Sequence, residues 1–356
     1  MSRLMKGDFW LLLKVVTTYI GAVIGAGFAS GQEIMQFFVL HGSSGLRGVF
    51  LATVLFAYLG GLIMFLSVKS RSTSYGPLLR YLLGSRAGPW MDVLNLFMLL
   101  GGLSVMMAGS AALFHEQFAL PARAGALVMG LLTALVILGG LEGVLTANIL
   151  LVPLKFLAVA FISLAVLWQT GGFPGDIPAP QSGGGVAGHW APAGLLYVSY
   201  NMVVPLAVLS SLGRTVPLKV GVLGGALGGL LLGLAVSLVA LAGLAHLPEA
   251  AHCQIPLLYL AGQMGEGVRW VLAFLIWLAV LTTSIADAHG IASRLAPEGG
   301  SRYRFYGIGA CVLALPLSAF SFAGLVGFLY PLFGLAGLAL LGSLLLVPPV
   351  KGHQKF

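Results

Sequence analysis

Charge is what this chain has least of. Asp, Glu, Lys and Arg make up 8% of its 356 residues, while hydrophobic residues make up 59%. A soluble domain carries roughly 25% charged residues. So few charges cannot coat a surface that faces water, and a soluble fold is excluded. They can serve a surface that faces lipid, where a charge at mid-depth costs about 2.5–3.5 kcal/mol on insertion scales. The mean hydropathy of +1.02 agrees. Cysteine is sparser still: Cys253 and Cys311 lie far apart, without metal-ligand spacing, and say little about redox compartment. No cluster of Cys, His and acidic residues has the spacing of a metal site, and no Ser-His-Asp arrangement can be argued, so the chain is read as no enzyme and as needing no cofactor beyond a coupling ion. The formal charge of +8 comes from basic residues best read as loop anchors, not as a nucleic-acid surface. The N-terminal Met1-Ser2-Arg3-Leu4-Met5-Lys6 resembles the start of a signal peptide, but no small-residue cleavage site follows, so the first apolar stretch is expected to be a retained helix.

Long apolar runs are abundant. A helix needs about 20 apolar residues to cross the hydrocarbon core. Ten stretches qualify: 9–40, 46–68, 91–118, 124–141, 148–170, 191–213, 217–245, 268–294, 305–320 and 324–347. The first is too long for one simple span, and the ninth is short. With the N-terminus inside, thirteen Lys and Arg residues fall on inner segments. They are Arg3, Lys6, Lys69, Arg71, Arg80, Arg86, Arg214, Lys219, Arg294, Arg302, Arg304, Lys351 and Lys355. Only Arg47, Arg123 and Arg269 fall outside, and Lys14 and Lys155 lie within spans. This asymmetry predicts both termini in the cytoplasm. The Gly- and Pro-rich loop 171–190 divides the chain into residues 1–170 and 191–356, with five spans each. An odd number of spans per half inverts the second half, as an inverted-repeat transporter requires.

Glycine is plentiful, at 51 residues, and four glycines crowd the first span at 21, 25, 27 and 31. Each costs up to ~1 kcal/mol inside a helix. The cluster predicts an unwound segment whose freed N–H groups can hold a carboxylate and whose freed C=O groups can hold a cation. Gly21-xxx-Gly25 and Gly27-xxx-Gly31 are also small-residue packing motifs. The polar run Ser30-Gly31-Gln32-Glu33 that follows favours a new helix start. The spacing does not fit a dinucleotide-binding loop. In the sixth span, Pro205 follows Tyr197-Val198-Ser199-Tyr200-Asn201 and predicts a second interruption, with a proline kink as the plain alternative. In the eighth, Thr282, Thr283 and Ser284 can coordinate a hard cation or bond to carbonyls one turn back. Asp287 and His289 lie nearer the inner end, solvated or functional. His115 and Glu116 are expected to face water at the outer end of the third span.

Lys155 lies within Leu150-Leu151-Val152-Pro153-Leu154-Lys155-Phe156-Leu157. An intramembrane lysine is a functional-site hypothesis by default, and it can exchange a proton during transport. The alternative is snorkelling to the inner surface.

The stretch from Gly21 to Glu33, together with Tyr197-Val198-Ser199-Tyr200-Asn201, resembles the YkvI family of bacterial membrane proteins. That family is similar to the amino acid–polyamine–organocation superfamily, which has the LeuT fold. The resemblance implies a bacterial inner membrane, and a bundle of spans 1, 2, 6 and 7 rocking against a scaffold of 3, 4, 8 and 9. Substrate would lie between the breaks, at Gly25, Ala26 and Gly27 and at Ser199, Tyr200 and Asn201. A sodium site would map to the carbonyls of Gly21, Ile24 and Ala279 and the hydroxyls of Thr282 and Thr283. Lys155 matches the lysine whose ammonium replaces sodium in other members. The two sites exclude one another, because like charges repel strongly in a low dielectric. The expected function is secondary active transport of a small zwitterionic or aminated solute, coupled to H⁺ or Na⁺, with Glu33 and Asp287 as further site residues. A nutrient-sensing receptor of the same fold is the alternative, and a channel the third reading.

Overall fold

A computed structural model describes residues 2–71, 87–139, 142–172, 175–180 and 184–346. Arg80, Arg86, Lys351 and Lys355 lie outside the described residues. Every regular element among the described residues is helical. The overlong first stretch resolves into three pieces: α1 (Ser2–Val23), α2 (Ala26–Ser30) and α3 (Gln32–Phe37). A 3₁₀ turn, Val39–Ser44, leads into α4 (Gly45–Lys69). Then come α5 (Ala87–Phe118), α6 (Ala122–Gly139) and α7 (Glu142–Gln169). The second half holds α8 (Trp190–Asn201), α9 (Val203–Ser210), α10 (Leu218–Ala245), the short α11 (Pro256–Gly262), α12 (Glu266–Leu295), α13 (Gly300–Ala314) and α14 (Phe322–Leu346).

Eight helical segments among the described residues are long and apolar enough to cross a membrane, with α8 and α9 counted as one segment, Trp190–Ser210. Neither α1 nor α13 is among the eight. With 15 residues, α13 is short of the usual span. The sequence reading missed α11, because seven residues inside a connection are too few to show a period.

The helices pack in two groups. One comprises α1, α4, α8, α9 and α10, and the other α5, α6, α12 and α13, while α14 lies along α8 and α5. The first group is held by backbone contact. A Cβ added at Gly229 of α10 would overlap the backbone of Phe56 and Ala57 on α4, and one at Gly225 would lie 2.9 Å from the Gly61 nitrogen. Small residues of this kind drive helix association in lipid, where apolar burial offers no gain. Tyr19 of α1 fills the same seam, and its hydroxyl donates to the Phe56 carbonyl at 2.9 Å.

The loop between the halves is pinned to the turn after α3. Ser43 N–H donates to Ile177 O at 2.8 Å, and Ile177 N–H donates to Ser43 Oγ at 2.7 Å. The stretch that punctuates the sequence therefore also closes one end of the first half.

Candidate functional site

The glycine cluster breaks the first helix. Ile24 N–H still donates to Ile20 O at 2.9 Å, but Gly25 N–H turns to Val23 O at 2.8 Å. Gly25 is extended, at φ −87° and ψ −169°, and the next helical bond runs from Ala29 N–H to Gly25 O at 3.1 Å. The Gly21 and Ile24 carbonyls are thereby left without the partners an unbroken helix supplies.

Each glycine has its own task. Gly21 packs against Val152 of α7, whose Cγ1 would be 3.1 Å from an added Cβ. Gly25 borders open space. Gly27 makes room for the Glu33 carboxylate, which an added Cβ would overlap. Gly31 takes φ +80°, a conformation glycine adopts freely, and ends α2 against Leu257 of α11. Packing and unwinding thus share the motif. Because α2 has five residues and a second interruption follows, too little helix is present for its terminus to hold a carboxylate by dipole alone.

Side chains dominate instead. Glu33 opens α3, is 4% exposed, and folds back toward Gly27. The Tyr200 hydroxyl of α8 donates to its Oε2 at 2.7 Å. Around this pair the rings of Phe37, Tyr197, Tyr200 and Tyr330 pack at centroid distances of 5.2–5.7 Å. The Tyr197 hydroxyl and Gln32 Oε1 are buried without a hydrogen-bond partner among the described residues. Tyr330 of α14 lies within electrostatic reach of both Glu33 and the half-buried Asp287. Sequence reading missed Tyr197 and Tyr330 as site residues. The i, i+3 pair of tyrosines at 197 and 200 was the available signal for the first; nothing local marked Tyr330.

Tyr200→Phe removes the Glu33 hydrogen bond and nothing else of size. A hydrogen bond to a charged group is worth about 1.5–3 kcal/mol. The variant is expected to fold and to melt several degrees lower in detergent, and an unchanged melting curve would show that the bond carries no weight.

Lys155 is 3% exposed and makes no hydrogen bond or ion pair with a described residue. It lies one turn beyond Val152, on the face of α7 that meets α1, and α7 packs against α1, α2, α10, α11 and α12. Its side chain is enclosed by protein. The sodium positions on α12, a helix that packs against α2 and α7, have their polar groups already engaged. Thr282 Oγ1 donates to Ala279 O at 3.1 Å, and Thr283 Oγ1 donates to the same carbonyl at 2.8 Å. Ala279 O is the poorest ligand of the five, while the two hydroxyl oxygens keep acceptor capacity.

The α8 residues divide. Tyr200 reaches the site. Ser199 Oγ donates to Gly334 O of α14, so it is a helix-packing residue. Asn201 Nδ2 donates back to Tyr197 O at 3.0 Å. The interruption at Met202 keeps helical dihedrals, φ −85° and ψ −10°, a milder disturbance than at Gly25 and in keeping with a proline kink.

At the end of α5, Glu116 does not simply face water. Its Oε1 accepts from Gln254 N–H at 2.7 Å, Arg269 Nη2 donates to Glu116 O at 2.9 Å, and Gln254 Oε1 accepts from Ala323 N–H at 3.0 Å. Four elements are tied there. Cys253 stands beside this tie, and burial and then the Glu116 charge raise its thiol pKa. Glu116→Gln is expected to speed maleimide labelling of Cys253 severalfold, with buried Cys311 as the internal control. An unchanged rate would mean that Glu116 does not hold this end shut.

No family model matches the chain. Two proteins of Bacillus subtilis (strain 168) match over nearly their whole lengths. The membrane protein YkvI is 30% identical over 332 residues, 93% of this chain and 94% of that one. The chain belongs to the YkvI family. A second B. subtilis protein, YyaD, matches this YkvI-family chain at 31% identity over 352 residues, 96% of this chain and 97% of the relative. Among solved structures, Mhp1 in its inward-facing conformation superposes with a TM-score of 0.65 at 14% identity, covering 92% of this chain and 73% of Mhp1. A manganese transporter of Eremococcus coleocola gives 0.61 at 14%, covering 93% and 77%. A Na⁺-coupled sialic acid symporter in a substrate-bound outward-open state gives 0.55 at 12%, covering 91% and 75%. At these identities the likeness establishes the fold, which is the LeuT fold that the first-span motif implied.

Proposed function

We propose that this YkvI-family membrane protein is a secondary active transporter of a small zwitterionic or aminated solute, working by alternating access. In this reading α1 and α13 complete ten spans, residues 1–170 and 191–356 form inverted repeats joined by an outer loop, and both termini are cytoplasmic. The solute lies at Gly25, Ala26 and Gly27 beside Tyr200.

One observation carries the reading: Lys155, buried and without a partner among the described residues, lies one turn from Val152, which packs on Gly21 at a helix break that frees the Gly21 and Ile24 carbonyls. A buried ammonium needs acceptors, and those carbonyls need donors. Protonated, the lysine ties α7 to α1; when it gives up its proton, the tie loosens and the first helix group is free to rock. A buried lysine without a partner among the described residues favours the lysine over sodium. A manganese cargo, as in one structural neighbour, lacks support, since among the described residues no three His, Cys, Asp or Glu side chains converge.

The test is uptake of labelled amino acids and amines into vesicles holding the purified protein, under imposed pH or sodium gradients. Accumulation driven by a pH gradient supports the lysine-coupled form. Accumulation driven only by sodium moves the coupling to Thr282 and Thr283. Ligand-dependent stabilisation without any flux would make the protein a receptor.

A further inference from the structure

Glu33 is a carboxylate with unmet demand. An ionised carboxyl offers about four acceptor positions. Among the described residues, one hydrogen bond reaches this carboxylate, from Tyr200 at 2.7 Å, and no Lys, Arg or His pairs with it. Its surroundings are aromatic and closed to water on the far side, where Phe37, Tyr197, Tyr200 and Tyr330 pack together. A buried carboxyl in such a place calls for a counter-charge or a proton.

The near side is different. Glu33 reaches back to Gly27, two residues from Gly25, where open space begins. The Tyr197 hydroxyl, on a fully buried residue and without a partner among the described residues, is within electrostatic reach of the Glu33 carboxyl. Gln32 Oε1 is a buried acceptor without a donor among the described residues. The arrangement presents a carboxylate that receives one hydrogen bond among the described residues, with an amide oxygen and a phenol hydroxyl nearby. A guest that brings several N–H donors and a positive charge satisfies the carboxylate, whereas an anion is repelled by it.

We propose that Glu33 is the anionic pole of the solute site and that it selects solutes bearing a protonated amine. This rests on the transport reading and narrows it. The ammonium enters from Gly25, displaces nothing charged, and supplies the ion pair that Glu33 lacks. Free amines and the α-ammonium of amino acids share this chemistry, and the carboxylate of an amino acid plays no part at this pole.

The test is thermal stabilisation of the full-length protein in detergent by matched sets: the twenty amino acids, their methyl esters, their N-acetyl derivatives and the corresponding α-hydroxy acids. Stabilisation grows with ligand concentration over Kd, so the shifts report affinity. Every stabilising compound is expected to carry a free ammonium, with esters retained and N-acetyl and hydroxy compounds inactive. Glu33→Gln is expected to weaken binding about 30-fold or more, as loss of one partner of a buried charged pair does. Glu33→Asp, which keeps the charge, is expected to weaken it less. If Glu33→Gln does not fold, the compound sets on the unaltered protein and Glu33→Asp carry the test. Equal stabilisation by N-acetyl compounds, or unchanged amine binding in Glu33→Gln, overturns the assignment. No amine binding, with flux of another solute class into vesicles, also overturns it and leaves transport standing. No flux of any solute overturns both.

Discussion

Replacing Lys155 with methionine is expected to reduce driven uptake about 100-fold while leaving the fold as stable as before or more so. The two readouts move apart for one reason. Lys155 is 3% exposed and has no partner among the described residues. An unpaired buried ammonium is a burden on the folded state, and exchanging buried charges for apolar groups of similar volume is often neutral or stabilising by 1–4 kcal/mol. Methionine keeps the length of the side chain and loses the donor. In the proposed transport cycle the ammonium bridges α7 to the Gly21 and Ile24 carbonyls, so on that reading its loss removes the bridge and the coupling together. A 100-fold fall corresponds to roughly 3 kcal/mol. Lys155→Arg is not a substitute, because a guanidinium keeps its proton through any cycle. Should Lys155→Met retain pH-driven uptake, the lysine is an anchor and the coupling lies elsewhere.

A second large effect is expected in the seam of α4 and α10. Gly229→Leu should give no monodisperse protein on size-exclusion chromatography. An added Cβ there overlaps the backbone of Phe56 and Ala57, which has no rotamer to change. Overpacking a core costs about 1–3 kcal/mol even when side chains can adjust; here the whole helix must retreat, and the Tyr19 contact goes with it. Gly309 on α13 is the control, since an added Cβ there meets nothing within 4 Å. Gly309→Leu should stay within about 0.5 kcal/mol of the unaltered protein. Equal behaviour of the two variants would remove the argument that backbone contact holds this helix group.

Much of this was legible before any coordinates. The apolar runs placed the long helices, because lipid demands length and hydropathy of each span separately. The break at Gly25 was legible because four glycines in eleven residues have no cheap place in a helix. What stayed hidden lay across the fold. Glu33 looked like the start of a helix, and it is; that its partner is Tyr200, 167 positions away, is a tertiary fact. Ser199 and Tyr200 are neighbours in sequence, yet one faces α14 and the other the site, since adjacent residues on a helix point about 100° apart. The hydroxyls of Thr282 and Thr283 fitted a cation site or a carbonyl one turn back, and only packing chooses between these. Glu116 read as a surface acid because its partners belong to a connection more than a hundred residues on.

The placement of Gly25 and Gly31 has a mechanical consequence. Between them lies a rigid rod of five residues, Ala26–Ser30, with one end in extended backbone and the other in a left-handed turn. Such a piece is a crank on two swivels. In the proposed transport cycle a push against its side would turn it as a unit, the motion being absorbed by the few dihedral angles at the joints. Movement between states is then cheap in enthalpy. The temperature dependence of solute-driven rearrangement should be shallow, and an alanine at Gly31, which stiffens one swivel, should steepen it.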